Sequence, residues 1–117
     1  MGEFLIKLET ELTQFCPTFT QVPQQTSYPY ISIEMDQLLQ GMPWGPSIVV
    51  LNVKIWSRYC GTFEIFRLAK QVEGFFQHYT EPHASLKIIE STLTLLKDGQ
   101  TRQHCFRLKA RILGEPQ

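Results

Sequence analysis

No run of roughly 18 apolar residues occurs in the chain, so no transmembrane helix is expected. Met1-Gly2-Glu3-Phe4 opens without the basic start and long apolar stretch of a signal peptide, so none is expected either. Cysteine is scarce: Cys16, Cys60 and Cys105 are an odd number with no C-x-x-C pair, a poor disulfide framework. They read as small apolar residues in a reducing cytoplasm. Histidine is as scarce. His78 and His83 lie five apart near Glu81, but a metal site needs a third ligand in fixed geometry, and exposed loop histidines are the expectation. His104 and Cys105 are neighbours on a predicted strand and point to opposite faces, so they form no working thiol–imidazole dyad. No P-loop, G-x-G-x-x-G or G-x-S-x-G occurs. The chain reads as no enzyme, with no catalytic residue, metal or cofactor. Net charge is missing too. Eleven basic and eleven acidic residues cancel, which removes a general electrostatic drive toward nucleic acid or an anionic membrane.

What is present suits one soluble domain over residues 1–117. A chain of that size buries about two-thirds of its unfolded surface, enough for one core without metal or disulfide support. Apolar residues are 43% and charged residues 19%, and eight phenylalanines leave apolar surface to spare for assembly. The charge is unevenly spread. Residues 1–36 carry Glu3, Glu9, Glu11, Glu34 and Asp36 against Lys7, a local charge of −4. Residues 100–117 carry Arg102, Arg107, Lys109 and Arg111 against Glu115, a local charge of +3. These are two solvated faces of one monomer, or complementary patches between subunits arranged head to tail.

Phe4, Leu5, Leu8, Leu12 and Phe15 recur at helical spacing and predict a helix over residues 3–15, stopped by Pro17. Residues 17–29 hold three prolines and read as an irregular or extended segment. Tyr28 to Glu34 reads as a strand with Ile31 and Ile33 on one face and Tyr30, Ser32 and Glu34 on the other. Residues 36–46 read as a connection containing Leu38, Leu39, Met42 and Trp44; large apolar residues in such a loop fold back on the core or await a partner. Ser47–Ser57 is the clearest strand, with Val49, Leu51, Val53 and Ile55 on one uninterrupted face and a mixed second face. Thr62 is the expected N-cap of a helix to about residue 78, with Phe63, Phe66, Leu68, Ala69, Val72, Phe75 and Phe76 as its apolar stripe. Ser85–Lys97 and Gln103–Leu113 flank an Asp98-Gly99 turn; Phe106, Leu108, Ala110 and Ile112 alternate with Arg107, Lys109 and Arg111.

The order helix, strand, strand, helix, strand, strand implies an α+β fold: a mostly antiparallel sheet of about four strands with two helices packed on one face. The candidate interface is the apolar connection (Leu38, Leu39, Met42, Trp44) together with Arg107, Lys109 and Arg111 on the last strand. If Trp44 is an interface anchor, Trp44→Ala weakens assembly more than folding; if it is core, stability falls by several kcal/mol. Arg107, Lys109 and Arg111, with Trp56, Tyr59 and Tyr30 as stacking surfaces, also fit a single-stranded nucleic-acid binder. Zero net charge and the lack of a recognised motif make a protein interface the better reading.

Three segments resemble the tail-terminator (tail-completion) proteins of long-tailed bacteriophages, the family that includes the minor tail protein U of phage lambda. They are Tyr28-Pro29-Tyr30-Ile31-Ser32-Ile33; Leu51-Asn52-Val53-Lys54-Ile55-Trp56-Ser57-Arg58 with Cys60-Gly61 and the following helix; and the final strand with its Asp-Gly turn and His104-Cys105-Phe106-Arg107-Leu108. The match covers roughly residues 1–113 in element order. Gly41-Met42-Pro43-Trp44-Gly45-Pro46 is more apolar than the family pattern. The resemblance implies a subunit of a homo-oligomeric ring, typically a hexamer, at the head-proximal end of the tail, assembled in the bacterial cytoplasm. Its implied partners are itself, the tail tube protein and the head–tail connector protein. A head–tail connector or neck protein is the alternative within the same particle.

Overall fold

The computed structural model describes residues 2–40, 47–59 and 61–113. Phe4, Leu8 and Leu12, spaced by four, line the buried side of helix α1 (Gly2–Leu12). The helix ends before the predicted residue 15 because the chain tightens. The N–H groups of Gln14 and Phe15 bond the carbonyls of Glu11 and Leu12, three residues back, and Pro17 then bars continuation. Thr18–Phe19 forms a two-residue strand, β1, parallel to Ile31–Ser32 of β2 (Tyr30–Gln40).

The sheet is mostly antiparallel, as expected, with a fifth, two-residue parallel strand added because part of the proline-rich segment is held extended beside β2. A second expectation is corrected: β2 continues through Leu38 and Leu39, which the sequence reading assigned to the 36–46 connection. Gln37, Leu38 and Leu39 pair with Val50, Val49 and Ile48 of β3 (Ser47–Ser57). A bulge at Asp36 breaks the two-residue alternation, so the strand's periodicity is interrupted in the sequence although its pairing is not. Met42 and Trp44 lie outside the described residues.

Helix α2 (Phe63–Gln77) follows β3, and β4 (Ala84–Leu95) and β5 (Arg102–Ile112) form the final hairpin. The strand order is β1-β2-β3-β5-β4; every neighbouring pair but β1–β2 is antiparallel. Val49, Leu51, Val53 and Ile55 are fully buried in a row, flanked by Ile31 and Ile33 on β2 and by Phe106, Leu108 and Ala110 on β5. Both helices pack on this face. Phe76 meets Phe106 edge-on at 5.7 Å, and the helices join through Phe15–Phe75 and Phe4–Tyr79 at 6.0 and 6.4 Å.

The apolar stripe of α2 differs from the predicted one. Ile65, Leu68, Ala69, Val72 and Phe76 are buried, whereas Phe63 and Phe66 are 72% and 54% exposed. Residues 65, 68, 69, 72 and 76 share one face at 3.6 residues per turn, and Phe66 lies a further 100° round. Burying such a stripe contributes on the order of 10 kcal/mol before conformational entropy is set against it. Thr62 occupies the N-cap but makes no side-chain cap bond. The start of the helix is instead tied to the sheet, where the buried Ser57 hydroxyl donates to Glu64 Oε1 at 2.7 Å.

Candidate assembly surface

Strand pairing places one set of side chains on the face away from the helices, in transverse rows. Leu39, Ile48, Arg111 and Ser85 form one row; Gln37, Val50, Lys109 and Lys87 form the next. Glu34, Asn52, Arg107 and Glu90 follow, then Ser32, Lys54, Cys105 and Thr92, and then Tyr30, Trp56, Gln103 and Thr94. Among the described residues no helix or strand covers this face.

Its charges are partly settled within the chain. Arg107 donates through Nη2 to Asp36 Oδ2 at 2.7 Å and through Nη1 to Asn52 Oδ1 at 3.3 Å. One residue of the acidic N-terminal segment thus neutralises one of the basic C-terminal strand. Lys54 reaches Glu34 at 3.2 Å. Exposed pairs of this kind contribute at most about 1 kcal/mol each. Among the described residues Lys87, Lys109 and Arg111 have no carboxylate within ion-pair distance. Lys87 and Lys109 are directly opposite each other, an arrangement that costs stability in an isolated sheet.

The aromatic end of the same face is occupied by itself. Tyr30 stacks on Trp56 at 6.0 Å, Trp56 Nε1 donates to Ser32 Oγ at 2.9 Å, and Tyr28 leans on Tyr30. The Arg58 guanidinium covers the Tyr28 ring at 4.4 Å. Tyr30 and Trp56 therefore spend their facing ring surfaces on each other; Tyr59 stands exposed, apart from them.

The predicted interface residues are brought together only in part. Leu39, Lys109 and Arg111 share the open face, with Leu39 and Arg111 in one row two strand spacings apart, roughly 10 Å. Arg107 belongs to the same face but is committed to Asp36. Leu38 points to the helix side, beside Val49, near the end of the sheet, and is itself exposed. The sequence reading missed Met35, Ile89, Leu93 and Leu95, and gave Phe63 and Phe66 to the core. Six of the twelve exposed large apolar side chains among the described residues (Met35, Leu38, Leu39, Ile89, Leu93, Leu95) lie on β2 and β4. Both strands have unpaired margins. β1 covers only Ile31 and Ser32 of β2, and β4 is the far edge of the sheet. The signal available in the sequence was the second leucine set of β4, but a bulge at Ile89 changes its alternation, as Asp36 does for β2.

The groups capable of chemistry are separated or blunted. His104 faces the helix side against Phe106, where burial lowers its pKa, and its Nε2 lies 2.7 Å from Ser91 Oγ. Cys105 faces the opposite way, and burial raises its thiol pKa, which disfavours the nucleophilic thiolate. Burial pushes Cys16 up to about 11. Among the described residues no three His, Cys, Asp or Glu side chains gather as metal ligands, and no helix is long and apolar enough to cross a membrane.

No family model matches the chain, and no curated protein matches it. Among solved structures the fold recurs in a chain of the virion of a native gene transfer agent (GTA) particle. The TM-score is 0.68, over 96% of this chain and 91% of that one, at 11% identity. At that identity the likeness is one of fold.

Proposed function

We propose that this chain is a non-enzymatic structural subunit of a phage-type virion, and within it a tail terminator: one member of a homo-oligomeric ring that closes the head-proximal end of the tail tube and prepares it for the head. The observation that carries the reading is the fold shared almost end to end with a chain of a virion particle. The finer assignment is supported by the tail-terminator resemblance of residues 28–33, 51–78 and 98–108. A sheet with two unpaired margins and exposed apolar side chains along both suits assembly. The mechanism is geometric. A closed ring presents no further site for tube subunits, so elongation stops where it binds, and no cofactor or energy source is needed. The partners are further copies of the chain, the tube protein and the connector protein.

Electron microscopy of particles produced without this protein tests the assignment. Tails of uncontrolled length are expected. Tails of normal length that fail to join heads move the protein to the neck, and normal, joined tails remove the proposal.

A further inference from the structure

The two margins of the sheet match each other in direction, composition and charge. β2 and β5 run one way, β3 and β4 the other. When a second copy is related to the first by rotation about an axis roughly along the strands, strand direction is preserved. The β4 of one copy then meets the β2 of the next antiparallel, the pairing that each already makes with its inner neighbour. The open part of β2, Glu34–Gln40, offers roughly 23 Å of unpaired backbone, and β4 offers more than that.

Side chains agree with this placement. On the helix side β2 presents Met35 and Leu38, and β4 presents Leu93 and Leu95. Phe66 lies half a turn round α2 from Phe75, which touches Phe15 in the turn after α1, so Phe66 flanks the β4 side. On the open side the β4 margin carries Lys87 beside Lys109 and Arg111, while the β2 margin carries Glu34 and Asp36. Glu90, the one acid on that side of β4, is placed opposite Arg107. Glu34 and Asp36 are already paired with Lys54 and Arg107 of their own copy, so edge-to-edge joining brings the unpaired cations of one margin beside carboxylates rather than beside further unpaired cations.

We infer that the subunit contact is β-strand addition between unlike edges: the β4 margin of one copy on the Glu34–Gln40 margin of the next, so that one continuous sheet runs round the ring. The inference rests on the ring reading above and adds which surfaces form the contact and in which sense. Each copy uses two different edges, so the contact repeats until rotation closes it. A contact of β4 with β4 or β2 with β2 would stop at a dimer.

Disulfide trapping in the full chain carrying Cys60→Ser and Cys105→Ser tests it. Leu39→Cys on β2 is combined in turn with Ser85→Cys, Lys87→Cys, Glu90→Cys, Thr92→Cys and Thr94→Cys, the successive open-face positions along β4, so that every offset that sets Leu39 beside β4 brings one pair within bonding distance. Under mild oxidation one double variant is expected to give a ladder of covalent multimers ending at the ring size. Equimolar single variants are expected to give dimers only when a β2 variant is mixed with a β4 variant, and the chain with the two serine substitutions alone none. The exposed pair Leu93→Lys and Leu95→Lys is expected to abolish the ring with an unchanged circular-dichroism spectrum. Several outcomes overturn the inference: a single variant that dimerises with itself, rings by native mass spectrometry without any ladder, or a chain that stays monomeric and uncross-linked at high concentration. Rings without a ladder leave the tail-terminator reading standing, since its own test is tail length.

Discussion

At the scale of single residues, the turn between β4 and β5 is held by one carboxylate. Asp98 accepts the Thr101 hydroxyl at 2.6 Å and the N–H groups of Thr101 and Gln100 at 2.8 and 2.9 Å, with the Arg58 guanidinium at 3.7 Å. The Thr101 bonds above all lower its pKa from 3.8 to about 2. In the window between those values the unfolded chain holds the proton and the folded chain does not. The stabilisation is therefore whole above 3.8 and is lost as pH falls toward about 2. Asp98→Asn is expected to flatten the acid limb of thermal stability in that window, read by melting at stepped pH. His104 acts at higher pH. Burial depresses its pKa from 6.5, so stability is whole above 6.5 and declines as pH falls below it, a limb that His104→Phe should remove in the same melts. The Tyr79 hydroxyl is buried without a partner among the described residues, and burial pushes its pKa up to about 12. Tyr79→Phe removes an unsatisfied group and keeps the edge contacts with Phe4 and Phe75. Urea unfolding should show a gain of between zero and about 1 kcal/mol.

At the scale of elements, α2 carries two kinds of aromatic residue that composition does not separate. Phe76 is buried against Phe106, and Phe76→Ala is expected to cost about 3–5 kcal/mol in urea unfolding. Phe63 and Phe66 face outward, so Phe63→Ser and Phe66→Ser should change stability by no more than about 0.5 kcal/mol. A large loss of stability in either would mean that the side chain belongs to the fold. β3 was legible in full because its inward face is an unbroken alternation of branched residues from Val49 to Ile55. β2 was legible only to Glu34, since the Asp36 bulge erases the period that reveals a strand, and the loop-like composition of residues 41–46 lies just beyond. β1 was invisible: two residues carry no period, and pairing with β2 alone defines it.

At the scale of the whole molecule, a sheet with one face under helices and one face open could serve partners of different chemistry. The open face carries five cations, but Lys54 and Arg107 are paired with Glu34 and Asp36, Tyr30 and Trp56 are stacked on each other, and the net charge is zero. A single-stranded oligonucleotide is therefore expected to bind no more tightly than the non-specific range of about 10⁻⁴ to 10⁻⁶ M at physiological salt, as measured by fluorescence anisotropy. A tighter complex that weakens steeply with salt would favour the nucleic-acid reading. The candidate interface was half legible for a related reason. Sequence position marks Leu38, Leu39, Lys109 and Arg111 as apolar or basic, but only pairing shows that Leu38 and Leu39 belong to an open edge and that Arg107 is taken by Asp36.

The sequence alone determined the α+β class, the faces of β3 and β5, the order of the two helices and four long strands, and the hairpin turn, because periodicity and turn chemistry are local properties of neighbouring residues. Tertiary structure decided the fifth strand, the length of β2, the outward placement of Phe63 and Phe66, and the two unlike margins. Those depend on which segments lie beside each other, and a backbone edge is open only when no distant part of the chain arrives to pair with it.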